Sequence, residues 1–176
     1  VKTTYEVLCM RGAQAMAVRG HLAVAAAFKS ATAELELHQA YLVASGQRET
    51  ELPYGNIIAL NEHAATLHYQ HMRAEAPPVS RSLLIDAGAE LRGYAADVTR
   101  TYSASATDDF AALIASMDAL QQRICDEVKP GVDFVVLHAS THRQLAAVLR
   151  DHMLVKCSAD EAVATGITRA FLPHGL

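Results

Sequence analysis

Two aspartates in one short stretch of the sequence are the residues best suited to chemistry. Asp86 and Asp97 lie within residues 83–103, which read LLIDAGAELRGYAADVTRTYS, and each stands among apolar neighbours. A carboxylate that is buried in such surroundings destabilises the protein unless something neutralises it. We therefore expect a cation, a shared proton or a metal ion beside these side chains.

The spacing of the two aspartates predicts that they share one face of a β-hairpin. A two-residue turn at Arg92 and Gly93 would join the flanking segments as strands. Asp86 then lies opposite Thr99, and Asp97 lies one diagonal step from Asp86. Diagonal neighbours are about 7–8 Å apart at Cα, so both carboxylates could reach one or two metal ions. A three-residue turn would place them on opposite faces.

Other interpretations of the aspartates remain open. Asp97 could pair with Arg92 or Arg100, while Asp86 caps a local turn. We favour a metal ion or a shared proton, because no cation stands at a facing alternate position; carboxylate oxygens suit Mg²⁺ and Mn²⁺, and Zn²⁺ or Co²⁺ when a histidine joins them. LLIDAG also approaches the aspartic-protease pattern, but Ala87 lacks the hydroxyl that follows the aspartate there. That pattern also needs carboxylates about 3 Å apart that share a proton.

Composition argues against several classes of function. The 176 residues carry a net charge of −4, and Lys and Arg are scattered, which argues against a nucleic-acid surface. The longest apolar stretch, HLAVAAAF, is far shorter than the roughly 20 residues that span a bilayer. Cys9, Cys125 and Cys157 lie far apart without a CxxC motif, which is typical of reduced thiols. We expect a cytoplasmic protein with no nucleic-acid or membrane partner.

Periodicity and capping residues predict the elements around the aspartates. An apolar stripe predicts a helix over residues 4–28; it consists of Leu8, Ala15, Val18, Leu22 and Ala26. Thr32 can cap a second helix that ends near Ser45, before Gly46.

Strands and further helices are predicted downstream. Short apolar segments predict strands at residues 57–60 and 66–69. After the hairpin, helices are expected to begin near Asp108, Asp133 and Ser158. The order of helices, strands and helices predicts an α+β fold with an antiparallel sheet.

Several motifs together resemble a known enzyme family. YGNIIALNEHAATLHY, IDAGAELRGYAADVTRTYS and FLPHGL are similar to motifs of the metal-dependent Xaa-Pro peptidases of the creatinase/aminopeptidase, or pita-bread, family, and in particular of its bacterial Xaa-Pro dipeptidases (prolidases). The resemblance covers nearly the whole chain. It implies the first half of a pita-bread fold, with an antiparallel sheet and helices on one side. Residues 1–176 would then be the N-terminal half of a metallopeptidase catalytic domain, without the family's N-terminal domain or the C-terminal half.

The resemblance also implies roles for individual residues. The family's centre usually holds two Mn²⁺ ions, with Co²⁺ or Zn²⁺ as alternatives. Asp86 matches an aspartate that chelates one metal ion, and Asp97 matches one that bridges both. His68, in the LHY segment, matches a catalytic histidine that binds substrate and stabilises the reacting centre, and His174 matches a histidine beside the substrate. The implied reaction is hydrolysis of Xaa-Pro dipeptides by a hydroxide that bridges the metals.

The family's remaining metal ligands, a histidine and two glutamates, follow the position that matches Leu176. We therefore expect residues 1–176 alone to be an incomplete and inactive fragment with incomplete metal occupancy. The full-length enzyme is expected to be a homodimer. The alternative is a non-catalytic binding protein of the same fold, and the presence of both aspartates and His68 argues against it.

Other polar residues have alternative interpretations. His138 and His142 have the i,i+4 spacing of a zinc pair, but the glutamate of an HExxH motif is missing. They are interpreted as a surface or half-buried pair. His63 is kept as a minor candidate for the site because it lies near the LHY segment, and Glu62 is treated as structural.

Overall fold

The chain begins with a long helix, α1 (Thr4–Phe28), which packs against α2 (Glu34–Ser45). This description comes from a computed structural model that describes residues 1–28 and 32–176. The predicted helix over residues 4–28 is confirmed, but its apolar stripe is not its buried face. Leu8, Val18 and Leu22 of that stripe are exposed.

The buried face of α1 consists largely of small side chains. Its members are Cys9, Ala13, Ala17, Gly20, His21, Val24 and Phe28. At Gly20 a Cβ atom would collide with the ring of Tyr41 on α2. Close approach between the helices, rather than side-chain hydrophobicity, therefore decides which face of α1 is buried.

The start of α2 differs from the prediction. The N-cap is Ala33, whose backbone N–H donates to the Glu36 carboxylate at 3.0 Å. The Thr32 hydroxyl instead donates to the Ala27 carbonyl at 3.4 Å. The helix ends as predicted at Gly46, which has a φ of 74° in the left-handed region that favours glycine.

The strands form an antiparallel sheet and a hairpin tip. They are β1 (Ile57–Leu60), β2 (Ser82–Asp86), β3 (Glu90–Leu91), β4 (Tyr94–Ala95) and β5 (Thr99–Ser103), and β2 lies between β1 and β5. Asp86 pairs with Thr99, as predicted. Arg92 and Gly93 form the turn, with φ values of 56° and 82°. Positive φ at both central positions is the geometry of a two-residue type I′ hairpin turn, so the predicted turn is confirmed.

The prediction of a strand at residues 66–69 is wrong. These residues form a turn after a short 3₁₀ helix (Asn61–Ala65). His68 has a φ of 54°, which is incompatible with an extended strand. The apolar residue that ends this segment, Tyr69, instead packs its ring on the sheet beside Ile57 and Ala59.

The two faces of the sheet have different partners. One face packs against α1 and α2; the residues of this core are Val24, Phe28, Leu37, Tyr41, Ile58, Leu60, Leu83, Ile85 and Ala87. The opposite face carries Ile57, Ala59 and Leu84. Asp86 pairs with Ile57 and so lies on this second face. The expected α+β arrangement, with helices on one side of an antiparallel sheet, is confirmed for residues 1–105.

Residues 106–176 form a second compact unit, which is helical. Its helices are α3 (Asp109–Glu127), α4 (Phe134–Asp151), α5 (Ala159–Ala164) and α6 (Thr168–Phe171). The expected starts are confirmed because each cap accepts a backbone N–H: Asp108 from Ala111 at 2.7 Å, Asp133 from Val135 at 2.9 Å, and Ser158 from Glu161 at 3.3 Å. Within the ranges 1–28 and 32–176, none of the helices is both long and apolar enough to cross a bilayer.

Candidate metal centre

Asp86 and Asp97 lie on the same face of the hairpin, beside one tyrosine. The Tyr54 hydroxyl donates to Asp97 Oδ1 at 2.9 Å. Burial raises the pKa of Tyr54, and the negative charges of Asp86 and Asp97 and their hydrogen bonding to the phenol raise it further. One phenol is therefore near both carboxylates. The aspartates lie on the face away from α1 and α2, as the two-residue turn requires.

The Asp86 and Asp97 carboxylates have few hydrogen-bond or ion-pair partners among the described residues. Asp86 is half-buried, and its Oδ1 atom has no hydrogen-bond partner in the part of the chain that the structure describes. Asp97 is exposed rather than buried. Neither aspartate forms an ion pair with any described residue, and Arg100 instead donates to the Thr99 carbonyl at 2.7 Å. The interpretation as an Asp97–arginine pair is therefore wrong for the described residues.

This donor set fits a divalent cation. A buried carboxylate oxygen without a partner loses its hydration and regains nothing, which costs about 1–3 kcal/mol. Two like charges on one face also repel each other. A hard or borderline cation with oxygen ligands, such as Mn²⁺, removes both penalties. Asp86 and Asp97 are therefore the residues that could hold a metal ion here.

The helices behind the sheet fix the backbone beside Asp86. The Ala87 carbonyl lies 3.0 Å from His21 Nε2 on α1. The Gly88 carbonyl accepts a hydrogen bond from the Tyr41 hydroxyl on α2 at 2.7 Å. Both contacts are buried, so they resist competition from water. They orient the strand end that presents the Asp86 carboxylate.

Sequence reasoning missed Tyr54 and Gly88. Gly88 stands opposite Asp97 in the hairpin register, and its added Cβ would collide with the Ala96 carbonyl and lie 2.8 Å from Tyr54 Cε1. Glycine therefore provides the space that lets Tyr54 lie over the hairpin and reach Asp97. The only sequence signal was PYGN, which indicates a turn, and a turn signal does not reveal a long-range contact.

The structure places the two predicted histidines in different units. His68 is exposed, in the turn after the 3₁₀ helix, and belongs to residues 1–105 with the aspartates. His174 is exposed in a turn after α6, within residues 106–176. The Gly175 N–H in that turn donates to the Leu172 carbonyl at 3.2 Å. Their roles stay predictions.

The secondary candidates contact other protein side chains. Glu62 is exposed and pairs with Arg81 at 3.3 Å, consistent with a structural role. His63 Nδ1 lies 2.7 Å from Glu34 Oε1. Among the residues described, no group of three or more His, Cys, Asp or Glu side chains could hold a metal ion.

The His138–His142 pair on α4 is more buried than expected. His138 is half-buried, and His142 is buried. His142 Nδ1 lies 2.9 Å from Thr168 Oγ1, and its Nε2 lies 3.1 Å from His138 Nε2. The interpretation as a surface or half-buried pair therefore holds for His138 but is wrong for His142, because α4 turns His142 toward Thr168 of α6.

We expect acid to destabilise the protein through His142. Burial lowers the pKa of His142, and the nearby His138 and Arg169 lower it further. The unfolded chain therefore binds a proton more readily near pH 6.5 than the folded chain does, and stability rises with pH. The contribution is complete above about pH 6.5 and is lost as the pH falls through the folded-state pKa. The midpoint temperature of thermal unfolding should accordingly decrease as the pH is lowered from about 7.5 to about 5.5.

A variant pair tests this assignment. His142→Gln should make the unfolding midpoint less dependent on pH, whereas His71→Gln, at an exposed histidine, should leave the dependence unchanged. Equal pH dependence in both variants would contradict the role of His142.

Comparison with protein families shows a match over most of the chain. The model described as metallopeptidase family M24 matches residues 8–176. The chain is 53% identical over 175 residues to the Xaa-Pro dipeptidase of Stenotrophomonas maltophilia (strain R551-3), which covers 99% of this chain and 40% of that relative. It is 49% identical over 176 residues to the Xaa-Pro dipeptidase of Proteus mirabilis (strain HI4320), with the same coverage. The chain thus spans about 40% of the length of these curated relatives.

Solved structures show the same fold. Zn-substituted E. coli aminopeptidase P in complex with product matches with a TM-score of 0.83 at 22% identity, over 96% of this chain and 39% of that chain. Pseudomonas aeruginosa aminopeptidase PepP matches with a TM-score of 0.82 at 27% identity and the same coverage. The architecture is therefore that of part of a pita-bread fold.

Proposed function

Because this chain belongs to metallopeptidase family M24, we propose that Asp86 and Asp97 are ligands of a dinuclear metal centre that hydrolyses Xaa-Pro dipeptides. The observation that carries this proposal is the placement of both carboxylates beside Tyr54, with Asp86 Oδ1 left without a partner among the described residues. The substrate class is supported by the similar relatives, which are named Xaa-Pro dipeptidases.

The proposed metal ions are two Mn²⁺, with Co²⁺ or Zn²⁺ as alternatives. When bound, they would supply a Lewis acid for the scissile carbonyl and would lower the pKa of a water molecule toward neutrality, so that hydroxide is available as the nucleophile. Asp86 and Asp97 would bind the ions, and their negative charges would offset the positive charge of the ions. Tyr54, like any phenol, is protonated at neutral pH, and burial and the two aspartates raise its pKa further. It therefore donates to Asp97 Oδ1 and restricts the rotation of that carboxylate.

The histidines complete the proposal on the substrate side. We assign His68 to binding the substrate and stabilising the reacting carbonyl, and His174 to a place beside the substrate. Both assignments rest on the resemblance of their motifs to the family. His68 can donate a hydrogen bond through a ring nitrogen, which suits a carbonyl oxygen that gains negative charge.

We also propose that residues 1–176 belong to the N-terminal half of the catalytic domain and are inactive alone. The absence of a third suitable ligand near the aspartates in the described ranges supports this. The full-length enzyme is proposed to be a cytoplasmic homodimer. Its free cysteines Cys9, Cys125 and Cys157 fit a reducing compartment.

Hydrolysis of Gly-Pro and Leu-Pro by the full-length protein tests the proposal. Activity should disappear on treatment with a chelator and return with Mn²⁺, and residues 1–176 alone should show no turnover. Activity that resists chelation would favour aspartic-type chemistry. A metal-loaded, folded protein that cleaves neither dipeptide would instead favour the non-catalytic binding protein.

A further inference from the structure

Glu34, the first residue of α2, is a buried carboxylate outside the candidate metal centre. Its side chain is 2% exposed. Oε1 accepts from the Leu60 N–H at 2.8 Å and lies 2.7 Å from His63 Nδ1. Oε2 accepts from the Tyr69 hydroxyl at 2.7 Å and from the Arg73 N–H at 2.9 Å. Each oxygen thus has a pair of partners among the described residues, which uses the acceptor capacity of a carboxylate.

These contacts keep Glu34 ionised. Burial raises its pKa, but the hydrogen bonds from Leu60, Arg73, His63 and Tyr69 lower it, and the balance lies below the ordinary value for a glutamate. Because the carboxylate is charged, its hydrogen bonds are stronger than those between neutral groups. With its acceptor positions used, Glu34 is poorly suited to bind a metal ion or to accept a proton from substrate.

Among the described residues, all the partners of the Glu34 carboxylate lie in one segment, residues 60–73, which is distant from Glu34 in sequence. The segment contains non-glycine residues with positive φ: Asn61 at 53°, His68 at 54° and Met72 at 38°. Such conformations cost about 1–3 kcal/mol each and persist only where the surroundings impose them. His63 and Tyr69, which flank His68, stack with their ring centroids 4.7 Å apart. Glu34 binds both rings and the backbone at Leu60 and Arg73.

We infer that Glu34 is a positioning residue that holds residues 60–73 in the conformation that presents His68. The inference rests on the proposed function, because it is His68 that acts on substrate there. The acceptor positions of Glu34 are used by Leu60, His63, Tyr69 and Arg73, so its proposed role is indirect. Its effect on catalysis is indirect, through the stacked rings of His63 and Tyr69 that hold the segment around His68. A displacement of a catalytic side chain by about 1 Å can lower a rate 100-fold.

Hydrogen exchange of the full-length protein tests the structural half of this inference. Glu34→Gln removes the negative charge and places the side-chain NH₂ group of glutamine against groups that themselves donate hydrogen bonds. The rate of amide exchange over residues 60–73 should therefore rise at least about tenfold, the equivalent of about 1.4 kcal/mol. Tyr69→Phe removes a single partner and should give a smaller rise in a protein that remains folded. The control is Glu75→Gln, because Glu75 is exposed and lines the same cavity of about 360 Å³ as Glu34. Unchanged exchange in both Glu34→Gln and Tyr69→Phe would overturn the inference.

A double-mutant cycle on kcat/KM for Gly-Pro tests the catalytic half. Glu34→Gln should lower kcat/KM roughly tenfold to 100-fold in the wild-type background, but less than about twofold when His68 is already alanine. A general structural role would give the same factor in both backgrounds, and that result would overturn the inference. If His68→Ala retained full activity, the role of His68 in the proposed function would fail, while the exchange data would still decide whether Glu34 holds the segment.

Discussion

Asp97→Asn and Asp86→Asn are each expected to lower kcat/KM for Xaa-Pro dipeptides by at least about 1,000-fold in the full-length protein. Each change removes a negative charge from the centre proposed to hold the metal ions. Metal ions stabilise a hydrolytic transition state by several kcal/mol, and a loss of about 4 kcal/mol corresponds to this factor. Steady-state kinetics at saturating Mn²⁺, with metal content measured on the same samples, provide the test.

Stability should move in the opposite direction in the metal-free protein. Asp86 Oδ1 has no partner among the described residues, and the neighbouring Asp97 has the same charge. Asp86→Asn is therefore expected to stabilise the metal-free protein by about 1 kcal/mol, which raises the midpoint of thermal unfolding. Asp118→Asn, on the exposed side of α3, is the matched control and should change neither quantity. Full activity of Asp86→Asn, or its destabilisation without metal, would contradict the account.

Gly88→Ala is expected to destabilise the protein by about 2–3 kcal/mol. The φ angle of Gly88 is not positive, so backbone strain is not the reason. The added methyl group would collide with the Ala96 carbonyl and lie 2.8 Å from Tyr54 Cε1. Either the hairpin opens or Tyr54 leaves Asp97, and in both cases kcat/KM should fall together with stability. Urea unfolding monitored by circular dichroism measures the first effect.

Gly93→Asn, at another glycine of the same hairpin, is the control for Gly88→Ala. Gly93 has a φ of 82°, and among the described residues no atom beyond its two chain neighbours lies within 4 Å of its added Cβ. Asparagine tolerates positive φ, so the cost should stay within about 1 kcal/mol. A Gly88→Ala variant as stable and active as Gly93→Asn would show that the close packing of Tyr54 on the hairpin has no role.

Local rules were sufficient for the hairpin and for several helix starts. Arg92 and Gly93 form a two-residue turn, and the alternation of strand side chains then fixes Asp86 opposite Thr99. Asp108 and Asp133 each cap a helix through a backbone N–H two or three residues ahead. The family resemblance drawn from the motifs is confirmed as well.

Long-range packing decided the features that were not predicted. The buried face of α1 follows small residues such as Gly20, because Tyr41 of α2 must approach it. Residues 66–69 form a turn because Tyr69 bonds to Glu34, which is 35 residues away in sequence. Tyr54 reaches Asp97 across 43 residues. No local pattern carries information about such partners.

Anomalous diffraction from crystals of the full-length protein grown with Mn²⁺ tests the central claim most directly. We expect manganese peaks within coordination distance of both Asp86 and Asp97, with Asp97 contacting two ions and Tyr54 still donating to its carboxylate. Manganese bound elsewhere, or a structure in which the two carboxylates share no metal ion, would contradict it.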